Sequence, residues 1–279
     1  MVNKWLIINT LRNEQIFTRT MQNIVIDTSS ICSGRFSVTA RCHVDGSPED
    51  RLIKCYLQRS HRVKTIYGEQ YHYRELGIFK LDGTIEYIDV VITNWVNGIP
   101  LNEYMEDPDV DHRTLSHNFD TLAYNTLTSD HTHSDIKPDN IIVRPDESME
   151  LIDNDALWSE TIAAKLRRKR TTPPSNRIVR YERPSPKSLE CYKLALVSTM
   201  LAAMAYKFDD VIGFVKTDIF FEESKSQKFM RAIERCRTIF EQAGDKDHLA
   251  ISEIITAQDM LYPYDVLYYH YRSILGYRL

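Results

Sequence analysis

Early in the chain the apolar positions fall in short runs that alternate with polar ones; beyond residue 100 they spread to helical spacing. Runs rich in Ile, Val, Tyr and Phe predict strands at Lys4–Asn9, Asn23–Asp27, Phe36–Val44, Arg51–Leu57 and Ile85–Asn94. Gly34, Asp45-Gly46 and Asp82-Gly83 punctuate them with the turn chemistry of antiparallel hairpins. One helix is expected among the strands, over about Lys64–Phe79. After Gly98-Ile99-Pro100 the spacing predicts helices over about Asp111–Ser129, Ser188–Tyr206, Ser224–Ala243, His248–Met260 and Pro263–Leu275. The last begins at Pro and stops before Gly276, both helix-boundary signals. The pattern predicts an α+β chain. A strand-rich domain with one helix, residues 1–95, would be joined through Thr93–Pro100 to a mostly helical domain, residues 96–279.

Composition narrows the classes. A chain of 279 residues with 43% hydrophobic and 27% charged residues can bury a core without a disulfide or metal staple. Its net charge of −4 gives no global attraction to nucleic acid or anionic lipid, so neither is expected as a partner. The longest apolar stretch, Leu194–Tyr206, is too short to span a bilayer and contains Ser198 and Thr199. The apolar patch Trp5–Ile8 behind a single Lys4 does not make a signal peptide. Five cysteines, with no C-x-x-C pair, read as reduced buried thiols of a cytoplasmic protein.

The chemistry concentrates in one octet, His133-Ser134-Asp135-Ile136-Lys137-Pro138-Asp139-Asn140, followed by Leu151-Ile152-Asp153. Phosphoryl transfer needs a carboxylate for the hydroxyl proton, a cation beside the migrating group and oxygen donors for Mg²⁺. Asp135, Lys137, Asn140 and Asp153 supply these groups. The octet resembles the catalytic loop of the protein kinase family, H-R-D-x-K-x-x-N, with Ser134 in place of the Arg. Asp153, 18 residues after Asp135, resembles the family's metal-binding Asp. The resemblance covers roughly Gly34 to Tyr206 and implies a bilobal fold: an antiparallel-sheet N-lobe and a helical C-lobe. It implies ATP as phosphoryl donor and Mg²⁺ or Mn²⁺ as cofactor. Asp135 and Lys137 would be catalytic, and Asn140 and Asp153 would be metal ligands.

The same resemblance assigns a nucleotide side. Lys54, the only basic interior residue of Leu52-Ile53-Lys54-Cys55-Tyr56, is similar to the family's phosphate-binding Lys. Its carboxylate partner would be Glu69 rather than Glu75, because on the expected helix Glu69 shares a face with Tyr73 and Leu76. Cys32-Ser33-Gly34-Arg35-Phe36-Ser37 keeps one glycine, Gly34, of the family's phosphate-covering loop, with Phe36 at its tip. Thr93-Asn94-Trp95-Val96-Asn97-Gly98 resembles the segment between the lobes, with the backbone at Asn94 and Val96 reading the adenine edge.

The departures also carry implications. Asp153-Asn154-Asp155 stands where the family has D-F-G, so control by a flipping aromatic is not expected; Asp155 could bind metal, close a local turn or face solvent. Ser134 removes the donor fork that clamps a phosphorylated loop, implying independence from that modification. Lys137 favours a protein hydroxyl over the small-molecule phosphotransferase branch. His133 is expected to be a structural hydrogen-bonding ring. Glu190 stands where an Asp normally anchors the catalytic loop. The basic stretch Lys165–Arg170 before Thr171 and Thr172 reads as a solvated charge run, a platform for an acidic substrate or an autophosphorylation site. The expected function is transfer of the ATP γ-phosphoryl to a Ser or Thr hydroxyl of a protein substrate. A pseudokinase scaffold that binds nucleotide without turnover, and a small-molecule kinase, share most of these residues.

Overall fold

The computed structural model describes residues 2–13, 15–17, 19, 23–68, 73–157, 159, 162, 186–216, 219–221, 226–257 and 264–278. It is an α+β protein whose chain forms two compact units that meet in sequence between Trp95 and Val96.

The first unit is a curled antiparallel sheet with short helices. Helix α1 (Lys4–Leu11) begins where the Asn3 side chain accepts a hydrogen bond from the Trp5 N–H at 2.9 Å. It buries Ile7 and Leu11, one turn apart, against the sheet core. A strand was expected over Lys4–Asn9; in a short apolar run the two periods look alike, and the cap decides for helix. The strands are β1 (Gln15–Phe17), β2 (Asn23–Ile26), β3 (Cys32–Ser33), β4 (Ser37–Val44), β5 (Asp50–Tyr56), β6 (Tyr73–Phe79) and β7 (Ile85–Asn94). They run in the order β1-β2-β4-β5-β7-β6, with β3 added against β4. The Arg19 N–H, just past β1, donates to the Glu75 carbonyl on β6 at 2.8 Å, tying the two edges of the sheet together. Ile24, Val38, Ile53, Leu76, Ile78 and Val90 fill the buried face.

The expected helix over Lys64–Phe79 is corrected. Helix α2 covers His61–Tyr67, and Tyr73–Phe79 is strand β6, paired with β7 from Tyr73 opposite Val91 to Phe79 opposite Ile85. The Asp82-Gly83 turn required a strand on its N-terminal side as well as on its C-terminal side, and Gly83 takes the left-handed φ of +79° that the turn needs. The described part of this unit therefore holds two α-helices, where one was expected.

The second unit is mostly helical. A small sheet, β10-β9-β8, is made of β8 (Ile99–Pro100), β9 (Ile141–Val143) and β10 (Met149–Leu151). Gly98 precedes β8 with φ +155°, and a Cβ there would sit 2.2 Å from the Val143 carbonyl oxygen, so only glycine fits. The helices are α3 (Leu101–Tyr104), α4 (His112–Thr128), α5 (Pro186–Val215), α6 (Gln227–Ala243), α7 (Lys246–Ala257) and α8 (Tyr264–Arg278). α5 is the hub. From Cys191 to Met204 it is buried on nearly all sides, with α4, α6, α7 and α8 packed around it, and it kinks at Lys207. α6 shows the opposite pattern, a single stripe of Phe229, Ala232, Ile233, Cys236, Ile239 and Phe240 between a Ser226 cap and a left-handed Gly244. No helix among the described residues is long and apolar enough to cross a membrane.

Candidate functional site

The octet lies in the second unit, between the end of α4 and β9. Pro138 opens a single 3₁₀ turn, Pro138–Asn140, which delivers the chain into β9. The β9–β10 hairpin then fixes what lies opposite. Leu151 pairs with Ile141, and the Ile152 N–H donates to the Asn140 carbonyl at 2.9 Å, one step beyond the ladder. Asp153 follows at once, so hairpin register brings it alongside the end of the octet.

Within the octet, Asn140 is buried and its amide donates twice to Asp135, to the main-chain carbonyl and to Oδ2, each at 2.9 Å. Lys137 Nζ stands 3.3 Å from the same carboxylate oxygen. Partial burial opposes ionisation of Asp135, but the Lys137 charge, the hydrogen bonds from Lys137 and Asn140 and the Lys193 charge outweigh it. The carboxyl is held below the ordinary Asp range and is ionised at neutral pH. The structure thus brings together Asp135, Lys137 and Asn140, with Asp153 placed beside them by the hairpin and exposed.

His133 is the structural ring that was expected. Its Nε2–H donates to the Ile152 carbonyl at 2.8 Å, which joins the octet to the residue before Asp153. Nδ1 is buried without a hydrogen-bond partner, and burial holds the ring's pKa below its ordinary value despite the charges of Asp135 and Asp153. His133 is therefore a neutral hinge pin rather than a base. Ser134 and Asp153 both adopt left-handed backbone, at φ 66° and φ 65°. Such conformations cost of order 1–3 kcal/mol for a residue with a side chain and persist where surroundings over-determine them. Asn154 and Asp155 enter a 3₁₀ turn, Asn154–Ala156, with Asn154 exposed and no aromatic at its position.

Behind the octet stands the first exposed-to-buried turn of α5. Glu190 is buried, and its Oε1 accepts the His133 peptide N–H, the anchoring position expected for it. Lys187, one turn earlier, was not singled out by the sequence reading. Its ammonium donates to the carbonyls of Thr126, Ser129 and His131. Nothing local marks that Lys, because its partners lie 56 to 61 residues away.

The residues expected on a nucleotide side belong, except Val96, to the first unit. Lys54 sits on β5 opposite Thr39 and Val91, half-buried, pointing away from the face of Ile53 and Cys55, with Nζ 5.6 Å from the Tyr56 ring centroid. Gly34 closes the β3–β4 turn through its N–H to the Ser37 carbonyl at 2.9 Å. A Cβ on Gly34 would come no closer than 3.6 Å to that oxygen, so the turn itself does not demand glycine. Phe36 is 70% exposed beneath the Arg35 guanidinium. The Asn94 side chain accepts from Arg51 across the β5–β7 ladder, and Val96, half-buried, opens the second unit. Glu69 lies outside the described residues, as do the basic stretch Lys165–Arg170 and Thr171 and Thr172. The helical face by which Glu69 was preferred to Glu75 does not exist, since Tyr73 and Leu76 are on a strand. Glu75 is on that strand too, in ion pairs with Arg19 and Arg59.

Among the described residues no group of three or more His, Cys, Asp or Glu is placed to hold a metal. The donors at the octet are oxygens. Because the Asn140 NH₂ faces Asp135, its Oδ1 is the end left for a cation, and the Asp153 carboxylate is the second hard donor. Mg²⁺ and Mn²⁺ accept such a sparse set when substrate phosphates and water complete the shell, so the residues fit the ion. The cysteines are free thiols, four buried and one, Cys32, exposed, which corrects the expectation that all are buried. The sequence matches no protein-family model, and no curated protein matches it.

Proposed function

We propose that the protein is a divergent protein kinase, with the bilobal kinase fold, that transfers the γ-phosphoryl of ATP to a Ser or Thr hydroxyl of a protein in the cytoplasm. The observation that carries this reading is the Asp135–Lys137–Asn140 hydrogen-bonded cluster with Asp153 brought beside it by the hairpin. Asp135 accepts a hydrogen bond from the acceptor hydroxyl and orients its oxygen. Its low pKa makes it a weak base, which suits a loose transition state in which the proton leaves late. Lys137 balances charge on the migrating phosphoryl group. Asn140 and Asp153 would hold Mg²⁺ or Mn²⁺, which when bound neutralises the phosphate oxygens. Lys54 positions the nucleotide phosphates under the Gly34–Phe36 turn, where a glycine that the turn does not need leaves room for them. The adenine edge is read by backbone at Asn94 and Val96.

The test is incubation with labelled ATP and Mg²⁺ or Mn²⁺. Wild-type protein should label itself or an added protein substrate, and Asp135→Ala should lower the rate by about 10²–10⁴-fold. Nucleotide binding with no transfer under any condition would replace this reading with a binding scaffold. Transfer only to an added metabolite would replace it with a small-molecule kinase.

A further inference from the structure

We propose that Lys187 is a positioning residue for Asp135: with Glu190 it grips the chain that leads into the octet. An ammonium has three N–H groups, and Lys187 uses all of them, on Thr126 O at 2.9 Å, Ser129 O at 2.8 Å and His131 O at 3.0 Å. Only Thr126 lies in the last turn of α4, and its carbonyl already accepts the Ser129 N–H at 3.3 Å. Ser129 and His131 lie beyond the helix, so the cation does more than cap it. It is the centre around which the chain bends. The bend continues into the grip of Glu190, whose Oε1 takes the His133 N–H. Glu190 Oε2 has no hydrogen bond and stands 3.7 Å from Nζ, as it must when all three Lys187 protons point elsewhere. One turn of the most deeply packed helix thereby holds the backbone on both sides of Asp130–Thr132, and Asp135 follows two residues after His133.

Glu190 sits in the core with its side chain 0% exposed, and Lys187 lies one turn earlier at the edge of that core, 25% exposed. The octet itself contributes a left-handed Ser134, a conformation that needs outside support. A side chain that merely closed a helix would affect stability alone. One that sets the path of residues 129–133 also sets where the Asp135 carboxylate lies, and a displacement near 1 Å at a reacting group costs on the order of 10²-fold in rate.

The inference rests on the reading of Asp135 as the hydroxyl-orienting group, and its test separates the two. In full-length Lys187→Met, which keeps the stem and removes the donors, amide exchange over residues 129–136 should rise about tenfold or more while that of α6 stays at the wild-type rate. The turnover number for phosphoryl transfer should fall about 10- to 100-fold with KM for ATP changed less than about threefold. Lys187→Arg keeps the charge but its planar fork cannot serve three converging carbonyls, so it should fall between wild type and Lys187→Met in both readouts. Unchanged exchange over 129–136 in the Met variant overturns the proposal, as does loosened exchange with unchanged turnover. If the Met variant does not fold, the Arg variant decides by the same two readouts. Wild-type protein that transfers no phosphoryl group at all overturns the catalytic reading, and with it the effect of Lys187 on turnover, while the exchange comparison still decides the anchoring.

Discussion

Replacing Glu190 with Gln should remove a pH-dependent loss of stability. The Glu190 side chain is 0% exposed, and burial pushes its carboxyl from 4.5 up to about 7 against the opposing His133 N–H, Lys187 charge and Ser134 N–H. Lys187 is displaced in the complementary sense, its pKa lowered by burial despite Glu190, so for both partners desolvation outweighs their attraction at 3.7 Å. Because the folded pKa of Glu190 lies above the unfolded one, the native state binds more protons between pH 4.5 and about 7. The stability that the neutral carboxyl contributes is complete below pH 4.5 and is lost as pH rises through about 7. A shift of this size corresponds to about 3 kcal/mol. Gln has the shape of the neutral acid and cannot ionise. Urea unfolding of both proteins across this range, followed by far-ultraviolet circular dichroism, should give equal stabilities below pH 4.5. Above about pH 7 the variant should be more stable by about 3 kcal/mol. Parallel curves would refute the reasoning, since they would mean that Lys187 and the peptide N–H groups compensate the buried charge in full.

Gly98→Ala should be among the most disruptive small changes in the second unit. It combines a φ of +155° with a Cβ placed 2.2 Å from the Val143 carbonyl oxygen, and strain plus overpacking imply a loss of about 3 kcal/mol or more. Equilibrium unfolding measures it, and a loss under about 1 kcal/mol would contradict the close approach of β8 to β9. Thiol chemistry gives an independent check on the two cores. With a maleimide under native conditions only the exposed Cys32 should react. Burial pushes Cys42 and Cys236 up to about 12 and raises Cys55 and Cys191 as well. Mass spectrometry should show one fast adduct in the folded protein and five after unfolding, and a second fast adduct would show that one of the cores opens readily.

The strands expected over Asn23–Asp27, Phe36–Val44, Arg51–Leu57 and Ile85–Asn94 correspond to β2, β4, β5 and β7, and the long helices to α4–α8, although α8 runs through Gly276 to Arg278 instead of stopping before that glycine. Those segments repeat their apolar period several times, so local pattern outweighs local ambiguity. The two misread segments, Lys4–Asn9 and Tyr73–Phe79, are short, with apolar residues adjacent enough to suit either period. The first was decided by the adjacent Asn3 cap together with burial against the sheet core, and the second by pairing with Ile85–Val91 of β7. The loss of the Glu69 helical face is a direct result of that second misreading.

The octet shows the same division. Its residue types and their spacing were legible in the sequence; the β9–β10 hairpin that returns Asp153 to the octet was not anticipated and came from the structure. By itself the sequence determined an α+β chain, the turn positions and the identity of the groups around Asp135. Tertiary structure alone decided that Asn140 donates to Asp135, that His133 is neutral and bonded to Ile152, and that Lys187 and Glu190 hold the approach to the site. These contacts depend on how deeply α5 is buried and on which carbonyls at and beyond the end of α4 converge on Lys187. Burial and orphaned hydrogen-bonding groups are properties of packed elements, which no window of sequence contains.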